Sequence, residues 1–285
     1  MKKDKLHIHW YPGHIAKAEH QLKEKLSLVD VVIEVRDARI PLSSSYADIK
    51  KLLGDKPRLL LLNKADLVEK DELKSWVKYL SETTECPVIV TEAKGNGVNV
   101  SKVIDCAINL AEPKIQALMA KGLLRRAARA MVVGMPNVGK SSVINKLTKS
   151  SKTKTGAKAG VTRQQQWVRI NPKLELLDTP GIIPTRQDDQ TQAVKLAFVS
   201  SVSENAYSPE PVAQALLDML SEGRYRNNLL AYYKTDNLTL ESIALARNWV
   251  IKSESPDTLR TAQYVLKDFR EGRLGKFILD EIPTV

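Results

Sequence analysis

With 285 residues, 43% of them apolar and 27% charged, the chain has the composition of an ordinary globular protein and the length for one large or two modest domains. Two cysteines, Cys86 and Cys106, lie in or beside apolar runs without a C-x-x-C pair; this excludes a disulfide scaffold and reads as small buried hydrophobes in a reducing compartment. A net charge of +11 with only 5% aromatic residues points to a polyanion held by its phosphates, structured RNA rather than stacked single strands, and no run nears the roughly 18 apolar residues of a membrane span.

The chain opens on His7-Ile-His-Trp-Tyr-Pro-Gly-His14, whose Pro-Gly pair marks a turn, and continues into a predicted helix from Ile15 to Leu26. All four histidines (His7, His9, His14, His20) fall here. With no cysteine near and no ligand spacing on one helix face, they do not make a zinc site. The start lacks an apolar signal region and an Arg/Ser-rich leader, so the expected location is cytoplasmic, or an organelle stroma or matrix if a targeting peptide has been removed. Val29 to Val35 is a predicted strand ending in Arg36-Asp-Ala-Arg-Ile-Pro41, polar residues at a carboxyl end, where open α/β sheets place ligands. A short helix is expected over Tyr46–Leu53, then a buried strand over Arg58–Leu62 that delivers Asn63-Lys-Ala-Asp66. A helix over Lys70–Ser81 and a strand over Pro87–Val90 lead to Thr91-Glu-Ala-Lys94. Val100 to about Leu110 reads as a helix, broken at Pro113 from a second, basic helix over Lys114–Arg126.

Ala130–Val133 is a short buried strand, and Ser142 to Leu147 opens a helix. Between them Gly134-Met-Pro-Asn-Val-Gly-Lys-Ser141 fits G-x-x-x-x-G-K-[ST] in the context that this pattern requires. Its glycines let the backbone N–H groups of the segment through Val138, Gly139 and Ser142 point at phosphate oxygens. Lys140 would reach the β- and γ-phosphates, and the Ser141 hydroxyl would bind Mg²⁺. The Lys-, Thr- and Gly-rich stretch 150–160 reads as a mobile loop. Strands follow at Gln166–Ile170 and Leu174–Leu177, the latter ending in Asp178-Thr-Pro-Gly181. Six strands interleaved with helices predict a doubly wound, mostly parallel α/β sheet over residues 1–184. Beyond a polar linker at Thr185–Gln190 only helical patterns remain: Val212–Leu220 led by proline, Leu238–Val250, and a helix opened by Ser255-Pro256 that runs to Arg270 with Leu259, Ala262, Leu266 and Phe269 on one face. Residues 185–285 are therefore expected to form a small all-α domain.

Three further loops bear on the phosphate loop. Asp178 would hold Mg²⁺ through water, the Gly181 N–H would sense the γ-phosphate, and Thr162 sits where a switch threonine completes the metal shell. Asn63-Lys64-Ala-Asp66 is a guanine reader: an ionised aspartate only accepts, so Asp66 can take the N1–H and N2–H₂ donors together, which adenine does not offer as a pair. Ala93, with Lys94, would give a backbone N–H to the base oxygen. The base readers precede the phosphate loop here, which is the order of a circularly permuted GTPase. The permutation ties whatever follows Gly181 directly to the γ-phosphate switch.

Trp10-Tyr-Pro-Gly-His-Ile-Ala-Lys-Ala18, Asp37-Ala-Arg-Ile-Pro41, Asn63–Asp66, Gly134–Ser141 and Asp178–Gly181 together resemble the ribosome biogenesis GTPase A family. The resemblance implies a circularly permuted P-loop GTPase whose GTP form joins a late large ribosomal subunit precursor through rRNA, helps it mature and leaves after hydrolysis that the particle stimulates. A monomer with no membrane partner is expected. Ile182 stands where Ras-like enzymes carry the glutamine that orients water, so the isolated protein is expected to be slow. The resemblance supplies two substitutes: Asn137, matching an asparagine that holds an activating K⁺ against the phosphates, and His14, matching a histidine that acts on the water. Asn137 also suits a tight turn on its own account, and His14 a contact to RNA or structure. Ala159, where the family has proline, and Glu92, where it has serine, depart from the pattern.

From Lys114 to Leu174 there are fourteen Lys or Arg and no Asp or Glu. With Lys140 assigned to the nucleotide, thirteen cations remain for a polyanion or, alternatively, for a solvated basic face. An RNA-binding scaffold whose nucleotide merely orders the fold shares this block; acceleration of hydrolysis by ribosomal particles separates the two.

Overall fold

The apolar runs around Ile33 and Leu60 are long enough to be covered on both faces, and both become central strands of one sheet, every residue of each buried. The structure, a computed structural model, describes residues 8, 12–46, 49–92, 99–152, 167–177, 181–182, 189–222, 225–251 and 254–283, with side chains at all of these except 12–19, 150–152 and 181–182. The strands among them are β1 (Val31–Asp37), β2 (Arg58–Asn63), β3 (Val88–Val90), β4 (Ala128–Gly134), β5 (Trp167–Asn171), β6 (Leu174–Leu177) and β7 (Gly181–Ile182). They join in the order β3-β2-β1-β4-β6-β5, with β7 continuing beside β4. All ladders are parallel except the β5–β6 hairpin. The two-residue β7 is a strand that the sequence pattern is too short to announce.

Helices α1 (Pro12–Ser27), α2 (Ile49–Leu53) and α3 (Lys70–Thr84) cover one face, where Leu22, Leu26 and Leu53 meet Val32 and Met131, and Trp76 and Leu80 meet Leu60 and Leu62. On that face the sheet also carries a buried charge triad: Glu34 accepts from Arg36 Nε at 2.6 Å and from Arg58 Nη1 at 2.9 Å. Helices α4 (Val100–Ala120) and α5 (Lys140–Lys152) pack on each other and on β4 from the other side, completing the doubly wound arrangement.

The predicted break at Pro113 does not occur. Proline sits inside a single α4, with Asn109, whose carbonyl loses its partner, on the exposed side where water can reach it. The helix ends at Ala120 rather than Arg126, turning at Lys121-Gly122. Most of the stretch expected to be a mobile loop lies outside the described residues, and α5 runs through Lys152.

The remaining helices are α6 (Gln190–Phe198), α7 (Pro209–Ser221), α8 (Arg226–Tyr233), α9 (Leu240–Ala246) and α10 (Thr258–Arg270), gathered around buried Phe198, Leu216, Leu229, Ile243, Val265 and Phe269. Helix α9 is shorter than its apolar pattern. Asn248 takes a left-handed φ of 54°, and Trp249 N–H bonds back to the Ala244 carbonyl at 2.8 Å, which stops the helix. Leu259, assigned to the apolar face of α10, is 47% exposed, and Val265 takes its place in the core. No helix among the described residues is long and apolar enough to cross a membrane.

The chain forms two compact units that are not contiguous in sequence: Tyr11–Arg186 with Ile278–Val285, and Met1–Trp10 with Gln187–Phe277. At its end the chain thus differs from the expected split at residue 184. Ile278 packs into the cluster with Leu60, Leu62 and Ala65, and Asp280, 6% exposed, is bonded to the loop after β1.

Candidate nucleotide site

Parallel strands place their carboxyl ends on one edge, so the loops after β1, β2, β3 and β4 share it. The strand order reverses between β1 and β4, where such sheets open a crevice. At this edge β4 delivers the phosphate loop. A Cβ on Gly134 would collide with the Val35 carbonyl of β1, and one on Gly139, at φ 104°, with the Asn63 side-chain amide; close approach demands glycine at both. Asn137, exposed, turns the loop at φ 57°, a conformation that asparagine tolerates better than most residues. Lys140 is buried at the start of α5, and its Nζ donates to the Met135 carbonyl at 2.6 Å. Among the described residues no carboxylate pairs with it. Burial without a counter-charge pushes the ammonium down to about pKa 8. Ser141 is exposed and Ser142 half-buried in the first turn of the helix, where backbone N–H groups face outward.

The corner expected to read the base is built differently. Asn63, at the end of β2, donates through Nδ2 to the Val138 carbonyl at 2.8 Å and accepts through Oδ1 from the Thr91 hydroxyl at 3.2 Å. One side chain thus joins the phosphate loop, β2 and the exit of β3. Lys64 follows at φ 63°, and its Nζ pairs with Asp37 at 2.8 Å. Asp37 is fully buried at the end of β1 and is gripped again by Arg39, through Nε at 3.0 Å and Nη2 at 2.8 Å. Burial alone would raise its carboxyl; the Arg39 and Lys64 charges outweigh that and hold it well below the usual carboxylate range. Asp66 stands exposed in the short 3₁₀ turn Ala65–Leu67 that follows Lys64.

Of the other residues expected at the site, Gly181 is described by its backbone alone, the first residue of β7, paired with Val133 beside the phosphate loop. His14 is described by its backbone in the first turn of α1; its side chain lies outside the described set. Ala93, Lys94, Thr162 and Asp178 also lie outside the described residues. Of the three residues expected to hold Mg²⁺, Ser141 is the described one: it is exposed, follows Lys140, and its hydroxyl is a hard oxygen donor of the kind this ion takes. Sequence reasoning missed the side-chain roles of Asp37, Arg39 and Thr91. The available signal was an aspartate closing an all-apolar strand with an arginine two residues on.

Part of the basic block is engaged internally, at the opposite edge of the sheet. Asp30, 1% exposed, accepts from Arg126 at 2.6 and 2.9 Å and from the Arg129 N–H at 2.9 Å, and pairs with Lys114 at 2.8 Å. Burial would raise this carboxyl, but these donors hold it down to about 2. Arg125 forks onto Glu112 at 3.0 and 2.8 Å, and Arg129 lies over the Trp167 ring at 4.8 Å. The expectation of thirteen cations available to a polyanion is therefore too high: these four balance local carboxylates or cover an aromatic face, while Lys121, Lys149, Arg169 and Lys173 stay exposed.

The family model described as 50S ribosome-binding GTPase matches residues 129–234, starting at the strand that leads into the phosphate loop. The Ribosome biogenesis GTPase A of Bacillus cereus is 38% identical over 280 residues, covering 96% of this chain and 93% of that protein. The Mitochondrial ribosome-associated GTPase 1 of Mus musculus is 32% identical over 306 residues, covering 95% of this chain and 89% of that protein. The crystal structure of GNP-bound YlqF from T. maritima superposes with a TM-score of 0.66 at 25% identity, over 94% of this chain and all 100% of that one. With a phosphate loop joined through Asn63 to the preceding Asn63–Asp66 turn, in permuted order, and likeness to these proteins over nearly its whole length, the chain is a GTPase and belongs to the ribosome biogenesis GTPase A family.

Proposed function

We propose that this GTPase is an assembly factor for the large ribosomal subunit. Its GTP form binds the precursor particle through rRNA, promotes late maturation, and is released by hydrolysis. The observation that carries the nucleotide part is the bond from Asn63 to the Val138 carbonyl, which makes base reading and phosphate binding one unit. The ribosomal part is supported by the names of the relatives and by the surplus of 44 Lys and Arg over 33 Asp and Glu.

In this reading the loop amides of Val138, Gly139, Ser141 and Ser142 and the Lys140 ammonium hold the β- and γ-phosphates. Asp66 accepts the two guanine donors, Asn63 and Lys64 keep the reader in place, and Ala93 with Lys94 closes over the base oxygen. Gly181 and Thr162 register the γ-phosphate, and the chain beyond Gly181 carries that state toward the helical part. Ser141, Thr162 and Asp178 would hold Mg²⁺, which when bound neutralises charge on the phosphates. Asn137 would help hold K⁺ beside them, and His14 acts on the attacking water, since Ile182 offers it no hydrogen bond. We assign guanine nucleotide turnover to the sheet and particle binding mainly to residues 185–285, in a monomer working in the cytoplasm or in an organelle.

The test is GTP turnover of the purified protein, with and without large-subunit particles, in K⁺ and in Na⁺. Particle stimulation that is larger in K⁺ is the expected result. Equal stimulation in both salts removes K⁺ from the mechanism. No stimulation in either, with GTP still bound, overturns the hydrolytic assembly role in favour of a nucleotide-ordered RNA-binding scaffold.

A further inference from the structure

The end of the chain returns to the base-reading corner. After the helical unit closes at Phe277, Ile278 enters the apolar cluster around Leu60, Leu62 and Ala65, the last of these directly before Asp66. Leu279 N–H donates to the Arg39 carbonyl at 2.8 Å. The Asp280 carboxylate accepts from Leu42 N–H and Ser43 N–H, each at 2.8 Å, and from the Ser43 hydroxyl at 2.6 Å. A nearly buried carboxylate with three donors from one turn is a firm anchor. The turn it anchors begins with residues that brace the proposed guanine reader: Asp37 holds Lys64, and Ala38 N–H donates to the Asn63 carbonyl at 2.8 Å.

We propose that Ile278–Asp280 is a strap that positions the guanine reader, with Asp280 the positioning residue. The bonds run without a gap from Asp280 to the turn 38–44, from that turn through Asp37 to Lys64, and along the backbone from Lys64 to Asp66. Releasing the strap lets the turn move, and Asp66 loses the placement that two simultaneous acceptor contacts to guanine need. The strap follows in sequence directly on the last residue of the helical unit, Phe277. The inference rests on guanine nucleotide binding alone and stands or falls separately from the ribosomal reading.

The experiment uses full-length protein carrying Asp280→Ala, with displacement of a fluorescent GDP by GDP, GTP and inosine diphosphate, which lacks the N2 amine that Asp66 would read. The strap predicts roughly tenfold weaker GDP and GTP binding, equal for the two, as expected for loss of charge-assisted hydrogen bonds. It also predicts a GDP-to-inosine-diphosphate preference that shrinks by a similar factor. A merely structural role would lower the melting temperature, or the fraction of active protein, and leave that preference as it was; an unchanged ratio overturns the proposal. Should Asp280→Ala fail to fold, Asp280→Asn and Ser43→Ala, which keep the shape of the contact, give the same ratio measurement.

Discussion

The two ends of the nucleotide site hold buried charge in opposite ways. At the base end Asp37 is surrounded by Arg39 and Lys64, and Asn63 has partners for both its donor and its acceptor. At the phosphate end Lys140, also buried, donates to the Met135 carbonyl, and among the described residues no carboxylate pairs with it. The bonds that hold the first corner form within the protein itself, so a base bound there would meet groups already held in place and little reorganisation would oppose binding. Among the described residues no carboxylate offsets the Lys140 charge at the second, so a bound phosphate would relieve a cost that burial imposes there. One fold thus separates recognition, which needs rigidity, from charge neutralisation, which needs a vacancy of the right sign.

Removing a charge should therefore have opposite effects on stability at the two ends. Asp37→Ala leaves Arg39 and Lys64 facing each other in a buried place, and a loss of about 3–5 kcal/mol is expected in denaturant titration. Lys140→Met keeps the bulk of the side chain and removes the unpaired ammonium. Its denaturant midpoint should stay level or rise, while GTP turnover falls by about 10²–10³-fold, the loss typical of a lost donor to developing charge. A Lys140→Met protein that melts earlier than the parent would show that the ammonium is satisfied in a way the carbonyl contact alone does not account for.

The pH dependence sharpens the same contrast. Lys140 titrates near 8 in the free protein, and bound phosphates raise that value by supplying counter-charge. Below pH 8 the ammonium is already protonated, so affinity is flat. Above it the free form must take up a proton to bind, so GDP affinity should fall by up to about tenfold per pH unit until the bound-state value is reached. Calorimetry in buffers of different ionisation enthalpy would register the proton uptake directly. Lys140→Arg, charged throughout this range, should abolish the slope. Asp37, held low by two cations, contributes nothing in this window.

Features fixed within a few residues were legible in the chain. The four-leucine run ending in Asn63, the glycines of the phosphate loop and the proline-led α7 all declare themselves by local sterics or period. Pro113 misled because the rule against internal proline is a rule about unsatisfied backbone, and here the freed carbonyl lies on the exposed side. Helix α9 misled because an apolar period says nothing about where an asparagine will turn left-handed. The contacts that hold the base corner were out of reach for another reason. Asp37 to Lys64 crosses between strands, and Asp280 to Ser43 spans 237 positions, and no window of sequence contains both partners. The overcount of free cations has the same origin, because Asp30 lies far from Arg126 in sequence and beside it in space.

The smallest expected effect is also the one that separates two roles at one residue. Asn137 turns the phosphate loop at φ 57°, and a side chain there is exposed. If its contribution is the turn alone, Asn137→Gly, which enters this region without strain, should leave turnover in K⁺ and in Na⁺ as they were. If the side chain also helps hold K⁺ against the phosphates, the same variant keeps its fold and its Na⁺ rate but loses the K⁺ increment, a few-fold change in the ratio of rates. Asn137→Ala cannot make this distinction, because it adds the strain of a left-handed alanine, about 1 kcal/mol, to the loss of the amide. Glycine removes the amide and keeps the turn, so turnover of Asn137→Gly in the two salts isolates the electrostatic part of the phosphate cradle from the conformational one.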